Sequence, residues 1–208
     1  MSDTLWKRGI AALDIEITDA QLDKLKQYVS LLQRWNKTYN LTAIRDPNEM
    51  IPAHIFDSLV VAPYIEGKQC LDVGSGAGLP GIPLAILQPG RHFTMLDTNG
   101  KKTRFIQQAI IDLGLGNADV VQSRVEEWQP EHKYAGIISR AFSSISDFIN
   151  GCHMHLAEGG TFYAMKGQLP HEEMALLPDG FALVGQHALE VPFLTGERHL
   201  LKIINTSE

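Results

Sequence analysis

The chain has 208 residues, 44% of them hydrophobic and 20% charged, which is typical of a globular enzyme with one main domain. Its formal net charge of −6 disfavours a protein that binds nucleic acid through bulk positive charge, but does not exclude a local basic surface. No apolar run is long enough to span a membrane, and the first residues lack a signal peptide's apolar stretch, so we expect a cytoplasmic protein. The two cysteines, Cys70 and Cys152, are too few for a disulfide framework or a Cys-rich zinc site, and no metal is expected.

Residues 1–66 are predicted to be helical and to form an N-terminal extension. Thr18 begins a capping box, a hydroxyl followed three residues later by glutamine, and apolar residues then recur at helical spacing as far as Trp35. A second helix is predicted to start at Asp46, because the proline that follows it favours the first turn of a helix.

From Gln69 onward, short apolar strands alternate with helical stretches. The predicted strands are QCLDV (69–73), HFTMLD (92–97), ADVVQS (118–123), AGIISRA (135–141) and TFYAMKG (161–167). Such alternation predicts an α/β fold, a doubly wound and mostly parallel Rossmann-like sheet with helices on both faces. The last two apolar runs, FALVGQHALEV and HLLKIIN, have no helix between them, so they are predicted to add an antiparallel hairpin at the edge of a seven-stranded sheet.

The stretch LDVGSGAGLPG (71–81) places four glycines between a predicted strand and a predicted helix. No lysine follows them, which excludes a phosphate-binding P-loop, and Leu79 stands where a dinucleotide fingerprint needs its third glycine. The loop instead satisfies Asp-x-Gly-x-Gly-x-Gly, the pattern of S-adenosylmethionine-dependent methyltransferases. Its residues are Asp72, Gly74, Gly76 and Gly78. Glycines let such a loop pass beneath the cofactor, and we expect Asp72 to meet the cofactor's ammonium group, directly or through water.

Two later strand ends carry further residues suited to a nucleoside, so residues 67–208 are predicted to form one cofactor-binding methyltransferase domain. Asp97 ends the second strand, about 20 residues after the loop, where an acid can accept both ribose hydroxyls. The alternative is an Asp that caps the following helix. Val125 and Glu126, after the third strand, are expected to read the adenine, although a solvated acid pair is the alternative.

The fourth strand is followed by Arg140 and lacks the motifs of two other acceptor chemistries. Neither the Asn/Asp-Pro-Pro-aromatic motif of adenine-N6 enzymes nor the Pro-Cys nucleophile of RNA cytosine-C5 enzymes occurs. Guanine N7 carries a lone pair and no proton, so the enzyme must supply position and electrostatics and needs no general base. Arg140 is suited to guanine O6, an RNA phosphate or the cofactor carboxylate, with a plain salt bridge as the alternative. Phe142 is expected to stack on a flipped base.

Basic residues near several strand ends are expected to converge on one cleft. They are Lys101, Lys102, Arg104, Arg140, Lys166 and Arg198. Lys166 is predicted to be catalytic together with Arg140, and Lys101 and Arg198 are predicted to contact RNA phosphate. For the three on the helix after Asp97, a solvated basic face is the alternative.

Taken together, several stretches resemble the bacterial 16S ribosomal RNA guanine-N7 methyltransferase family, also called glucose-inhibited division protein B. They are WNK and YNLT (35–42), HIFDS (54–58), DVGSGAGLPG (72–81), SRVE (123–126), SRA (139–141) and GERH (196–199). The resemblance implies methyl transfer from S-adenosylmethionine to N7 of one guanine in the 16S rRNA of the small ribosomal subunit. It points to Gly74, Leu79, Val125, Glu126 and Arg140 at the cofactor.

The resemblance also implies that the N-terminal helices cover the cleft, with Asn36, Asn40, His54 and Asp57 in the cover and His54 among the residues that contact RNA. The residues alone suggest only a local hydrogen bond between His54 and Asp57, which lie three apart on a predicted helix.

The leading hypothesis is therefore an RNA guanine-N7 methyltransferase that acts as a monomer and has no membrane partner. A small-molecule S-adenosylmethionine-dependent methyltransferase would share the glycine loop and Asp97. An NAD-dependent oxidoreductase is disfavoured by the missing third glycine. A non-catalytic module would bind S-adenosylmethionine without turnover.

Overall fold

The computed structural model describes residues 3–140 and 142–206. Ala141, the last residue of the Ser-Arg-Ala stretch, lies outside the described residues. The helices are α1 Asp3–Leu13, α2 Asp19–Tyr39, α3 Pro47–Met50, α4 Asp57–Leu59, α5 Gly81–Leu87, α6 Gly100–Leu113, α7 Ile145–Cys152 and α8 His171–Ala175. A π-helical turn, Ile51–Phe56, joins α3 to α4, and 3-10 turns lie at Ala62–Tyr64 and His153–His155.

Within the part of the chain that the structure describes, seven strands form a single sheet in the order β3-β2-β1-β4-β5-β7-β6. They are β1 Gln69–Val73, β2 His92–Asp97, β3 Ala118–Gln122, β4 Tyr134–Ser139, β5 Leu156–Lys166, β6 Phe181–Ala188 and β7 His199–Asn205. The first five pair in parallel, and β7 is antiparallel to both β5 and β6. This confirms the predicted doubly wound sheet with its antiparallel hairpin. Because β1 pairs with β2 on one side and β4 on the other, a crevice opens at the carboxyl ends of these strands.

The region before β5 differs from the prediction. The helix α7 ends at Cys152, and β5 starts at Leu156, although the sequence predicted a helical stretch through Leu156 and a strand from Thr161. The register between β4 and β5 shifts, so that Tyr134 pairs with Leu156 while Gly136 pairs with Thr161. A bulge of this kind absorbs extra residues in one strand, and Gly159 in it has a φ of +68°.

The helix starts predicted in the first 66 residues are confirmed. At the start of α2, the Gln21 amide donates to Thr18 Oγ1 over 3.2 Å, and the Thr18 amide donates to Gln21 Oε1 over 2.9 Å. Gln21 Nε2 also donates to the carbonyls of Ile86 and Leu87, which lie at the end of α5 and have no partner within that helix. The Gln21 side chain therefore caps both the start of α2 and the end of α5.

The N-terminal helices share an apolar core with the sheet. Tyr28 of α2 is fully buried, and its hydroxyl donates to the carbonyl of Ala77 in the glycine loop over 2.7 Å. Its ring packs at 6.0 Å from that of Phe105 on α6, and Trp6 of α1 meets Phe56 edge to face at 5.8 Å. The helices thus reach the glycine loop directly, and the division of the chain at residue 66 stays a prediction.

Candidate active site

Three adjoining cavities lie along the carboxyl ends of the strands. Cavity A, of about 340 Å³, is bordered by the glycine loop and by the ends of β2 and β3. Cavity B, of about 190 Å³, lies on the glycine loop beneath the segment after α2. Cavity C, of about 420 Å³, is bordered by the π-helical turn and the ends of β4 and β5. Gly74 lines A and B, and His54 and Arg140 line both B and C, so the three form one path.

The glycine loop leaves bare backbone on one side and packs tightly on the other. Gly74, Gly76 and Gly78 have φ values of +71°, +61° and +84°, a region that glycine enters freely. A Cβ at Gly78 would lie 2.6 Å from Cγ1 of Ile82, so this position has no room for a side chain. A Cβ at Gly76 would meet nothing within 4 Å, which means that open space lies over this residue. Leu79, 3% exposed, lines cavity B.

Asp72 anchors the glycine loop from its buried side. It is fully buried, and its Oδ2 accepts a hydrogen bond of 2.8 Å from the Gly81 amide at the start of α5. Its Oδ1 has no hydrogen-bond partner among the described residues, and burial raises the pKa of the carboxyl to about 7. The carboxylate lines none of the three cavities, so the contact with the cofactor's ammonium group, directly or through water, stays a prediction.

Asp97 joins the end of β2 to the glycine loop. Its Oδ2 accepts from the Gly76 amide and its Oδ1 from the Asn99 amide, both over 2.8 Å. The cap of α6 is Asn99 and not Asp97, so the capping alternative for this acid does not hold. Asp97 lines cavity A, and each carboxylate oxygen has a second lone pair left for a hydroxyl.

Val125 and Glu126 both line cavity A, and a histidine that sequence reasoning missed holds the first of them. Nε2 of the buried His155 donates to the carbonyl of Val125 over 2.8 Å. The same imidazole ring packs 5.7 Å from that of Trp128. His155 lies 30 residues further along the chain in a 3-10 turn, so no local pattern connects it to this loop.

Arg140 forms the salt bridge that the sequence left open as an alternative. Its Nη1 lies 2.8 Å from Oδ2 of Asp57, and Nε of Arg198 lies 3.1 Å from Oδ1 of the same carboxylate. Just before Arg140, the Ser139 hydroxyl donates to the Val73 carbonyl over 2.8 Å and joins the ends of β4 and β1. The acid is 83 residues upstream of Arg140, so sequence spacing could not have named it.

The predicted hydrogen bond between His54 and Asp57 is wrong. Nε2 of His54 lies 2.8 Å from the Thr42 hydroxyl, while Asp57 turns to the two arginines. Burial lowers the pKa of His54 to about 4, so the ring is neutral at pH 7. The side chain lines cavities B and C, where the N-terminal helices meet the crevice.

Lys166 lines cavity C, but its ammonium group is engaged. Nζ lies 3.2 Å from Oε2 of Glu173 and within 3.4 Å of the carbonyls of Phe142 and Ser143. These three oxygens match the three donors of an ammonium group. Lys166 therefore braces the segment after Arg140, and a catalytic role for it stays a prediction. Glu173, which also accepts from the Ile145 amide over 2.7 Å, was not anticipated.

The remaining predicted RNA contacts are only partly brought together. Phe142 lines cavity A, next to the glycine loop, and packs against Phe148 at 5.2 Å, but it does not line cavity C. Of the six basic residues, Arg140, Lys166 and Arg198 converge in cavity C and Lys102 lines cavity A. Lys101 and Arg104 are exposed on α6 and line none of the three cavities.

Over residues 3–140 and 142–206, no group of three or more His, Cys, Asp or Glu side chains is placed to hold a metal ion. In the same part of the chain, no helix is long and apolar enough to cross a membrane.

Solved methyltransferase structures share this fold at low sequence identity. A glycopeptide N-methyltransferase, MtfA, complexed with S-adenosyl-L-homocysteine matches with a TM-score of 0.61 and 11% identity over 73% of this chain and 87% of that one. TrmN from Thermus thermophilus matches with a TM-score of 0.57 and 19% identity, over 74% of this chain and 48% of that one.

Sequence comparison gives a much closer relation. The chain is 53% identical to the ribosomal RNA small subunit methyltransferase G of Shigella flexneri over 189 residues, 91% of either protein. It is 52% identical to the protein of that name from Escherichia coli K12, again over 91% of both. The model of the GidB family, described as rRNA small subunit methyltransferase G, matches residues 21–201. With its glycine loop, its methyltransferase sheet and this match over most of its length, the chain belongs to the GidB family of rRNA small subunit methyltransferases.

Proposed function

We propose that the protein transfers the methyl group of S-adenosylmethionine to N7 of one guanine in the 16S rRNA of the small ribosomal subunit. The observation that carries the proposal is the path from cavity A to cavity C. At one end lie the glycine loop and Asp97, whose carboxylate can accept hydrogen bonds from ribose hydroxyls. At the other end lie Arg140 and Arg198, which both bind the Asp57 carboxylate. Membership of the GidB family supports the same substrate class.

Cavity A and the glycine loop fit the cofactor. The cavity has a volume of the size that small-molecule sites have, about 300–1,000 Å³. The open space over Gly76 is the cradle that a Cβ would fill, and Asp97 presents a carboxylate to ribose hydroxyls. Val125 and Glu126 border the same cavity where an adenine ring would lie. When bound, S-adenosylmethionine supplies an electrophilic methyl group on a sulfonium.

Cavity C suits an acceptor that needs no base. Burial lowers the pKa of His54 to about 4, which makes its ring a weak proton acceptor, and the Lys166 ammonium is already bound to three oxygens. The cavity also presents the guanidinium groups of Arg140 and Arg198, which share one carboxylate and so carry a net positive charge. Such a pair attracts an RNA phosphate or guanine O6 and thereby orients N7. Attack of N7 on the methyl group requires only this orientation and the favourable electrostatics, because N7 has no proton to lose.

The finer expectations about organisation belong to the same proposal. We propose that residues 1–66 cover the crevice of a methyltransferase domain formed by 67–208, and that the protein acts as a cytoplasmic monomer. The cover is supported by Tyr28 and His54, which reach the glycine loop and cavities B and C from the N-terminal helices.

A small-molecule methyltransferase is the second candidate. It is favoured by the acidic net charge and by the position of Lys101 and Arg104 outside the three cavities. It would use the same glycine loop and Asp97, so only the identity of the acceptor separates the two candidates.

Transfer of a tritiated methyl group from S-adenosylmethionine tests the proposal. The acceptors are small subunits, naked 16S rRNA, and subunits in which the candidate guanine has been replaced. We expect label in the first and none in the last. Transfer that is independent of the guanine, or label in small metabolites alone, would contradict it. Calorimetry with S-adenosylhomocysteine on the same preparation shows whether the cofactor site is intact.

A further inference from the structure

Asp57 makes the longest-range contacts of the site. Its carboxylate, on the first residue of α4, takes Arg140 from the end of β4 on one oxygen and Arg198 from the segment before β7 on the other. The three residues are 83 and 141 positions apart along the chain. Asp57 thereby links the N-terminal helices to the end of β4 and to the segment before β7, which both border cavity C.

The burial of the three side chains shows why one acid is needed there. The Asp57 side chain is 5% exposed, whereas those of Arg140 and Arg198 are 29% and 32% exposed. An unpaired carboxylate at such depth is costly, and so are two guanidinium groups that face each other without an anion. With the acid between them, the cluster keeps one net positive charge on the side of the cavity.

We propose that Asp57 is a positioning residue for the RNA acceptor. It holds the guanidinium groups of Arg140 and Arg198 at adjacent, fixed orientations, so that both donate to one anionic group of the RNA. Each arginine meets Asp57 through a single nitrogen, Nη1 or Nε, and the planar fork of the group sets the direction of its other donors. This inference rests on the proposed function.

A second contact holds the same two segments together. Phe56, the neighbour of Asp57, packs at 6.5 Å from Phe193, which precedes Arg198 in the connection between β6 and β7. The guanidinium of Arg8 lies 5.3 Å from the ring of Phe193. Phe193 has a φ of +62°, which is unfavourable for an aromatic residue and persists where surrounding contacts impose it. The connection that carries Arg198 is therefore held against Phe56 as well as against Asp57.

A competing interpretation makes the opposite prediction. If Asp57 merely occupied the place of an RNA phosphate, its removal would free two arginines and strengthen RNA binding, as added positive charge does. If Asp57 positions the arginines, its removal leaves them to separate, and methyl transfer slows even though the net charge has become more favourable for RNA.

The test compares Asp57→Asn with Glu66→Gln. Glu66 also joins the N-terminal segment to β7, through an ion pair of 2.8 Å with Lys202, but it is exposed and lines none of the three cavities. With small subunits as acceptor, we expect Asp57→Asn to lower kcat/KM by roughly 30-fold or more, mainly through kcat. Glu66→Gln should stay within about twofold of the wild type, and S-adenosylhomocysteine affinity should change less than about threefold in both.

Arg198→Lys provides a second readout in case Asp57→Asn does not fold. It keeps the charge and removes the fork, so positioning predicts a loss of about tenfold or more, whereas charge alone predicts wild-type activity. The inference is overturned if Asp57→Asn is as active as the wild type or faster, or if Arg198→Lys is fully active. A wild type that is silent on subunits would overturn the proposed function, and this inference with it.

Discussion

The glycine loop and the arginine cluster border one path, yet different forces hold them. The loop at 72–81 is held through its own backbone groups: the Gly74 amide donates to the Leu96 carbonyl over 2.8 Å, and the Gly76 amide donates to the Asp97 carboxylate. The cluster consists of side chains from three distant segments that meet on Asp57. The loop depends on the N-terminal helices for one contact, from the Tyr28 hydroxyl to the Ala77 carbonyl, whereas the cluster depends on them for the carboxylate that its two arginines share.

Each of the two regions also buries one titratable group, and burial acts on them in opposite directions. It raises the pKa of Asp72, beneath the loop, to about 7, and lowers that of His54, beside the cluster, to about 4. Burial disfavours the charged form in both cases, and one group is an acid while the other is a base. At pH 7 the His54 ring is therefore neutral, whereas about half of the Asp72 carboxyl groups are protonated.

The largest effect is expected on the cluster. Arg140→Ala removes a donor from cavities B and C, and we expect kcat/KM for small subunits to fall about 100-fold or more. The melting temperature should fall by only a few degrees, because Asp57 keeps Arg198 as a partner and is not left as an unpaired buried charge. Steady-state kinetics and thermal denaturation measure the two quantities.

Arg91→Ala is the matched control for this change. Arg91 precedes β2, at the amino ends of the strands and opposite the crevice, and its Nη1 donates to Gln88 Oε1 over 3.1 Å. Activity within about twofold of the wild type is expected there, because Arg91 lines none of the three cavities. An Arg140→Ala protein that fails to fold would show that this arginine is structural and would remove the distinction between the two regions.

A smaller effect is expected on the loop. Gly76→Ala and Gly114→Ala both place an alanine at positive φ, +61° and +58°, where a Cβ meets nothing within 4 Å. Both should lose about 1–2 kcal/mol of stability from backbone strain. Only Gly76 borders a cavity of the site, so only its variant should also lose affinity for S-adenosylhomocysteine, by about tenfold in calorimetry. Equal affinities in the two variants would count against the cradle over Gly76.

The most gradual effect is the pH dependence of stability, to which the two regions contribute with opposite signs. His54 titrates at about 6.5 when unfolded and about 4 when folded, so its contribution to stability decreases as pH falls from 6.5 to 4. Asp72 titrates at about 3.8 when unfolded and about 7 when folded, so its contribution decreases as pH rises from 3.8 to 7. Between pH 4 and 6.5 the two oppose each other.

Single variants should separate them. Asp72→Asn should be less stable at pH 4.5 than at pH 6.5, whereas His54→Gln should be more stable at the lower pH. The slopes reach at most about 1.4 kcal/mol per pH unit for one proton. Urea unfolding at several pH values measures both, and parallel profiles in the two variants would contradict the opposed burial of these groups. The amide in Asp72→Asn keeps an oxygen for the Gly81 amide, so the loop should remain intact.

Sequence patterns predicted what depends on neighbours in the chain. Strands β1 and β2 have the predicted bounds, because the apolar run of each is followed by residues that favour a loop or the start of a helix. The capping box at Thr18 and the glycine loop are equally local. The antiparallel hairpin was also predictable, since no helix separates its two strands.

Tertiary structure alone decided which side chains meet. His54 and Asp57 are three residues apart and suggested a pair, yet the packing of the π-helical turn sends one to Thr42 and the other to Arg140 and Arg198. Lys166 and Phe142 were expected to face the methyl acceptor. In the structure Lys166 forms an ion pair with Glu173, and Phe142 lies beside the glycine loop. The physical reason is that backbone conformation follows from short-range sterics and hydrogen bonds, whereas the partner of a buried charge is chosen by whichever opposite charge the completed fold brings within reach.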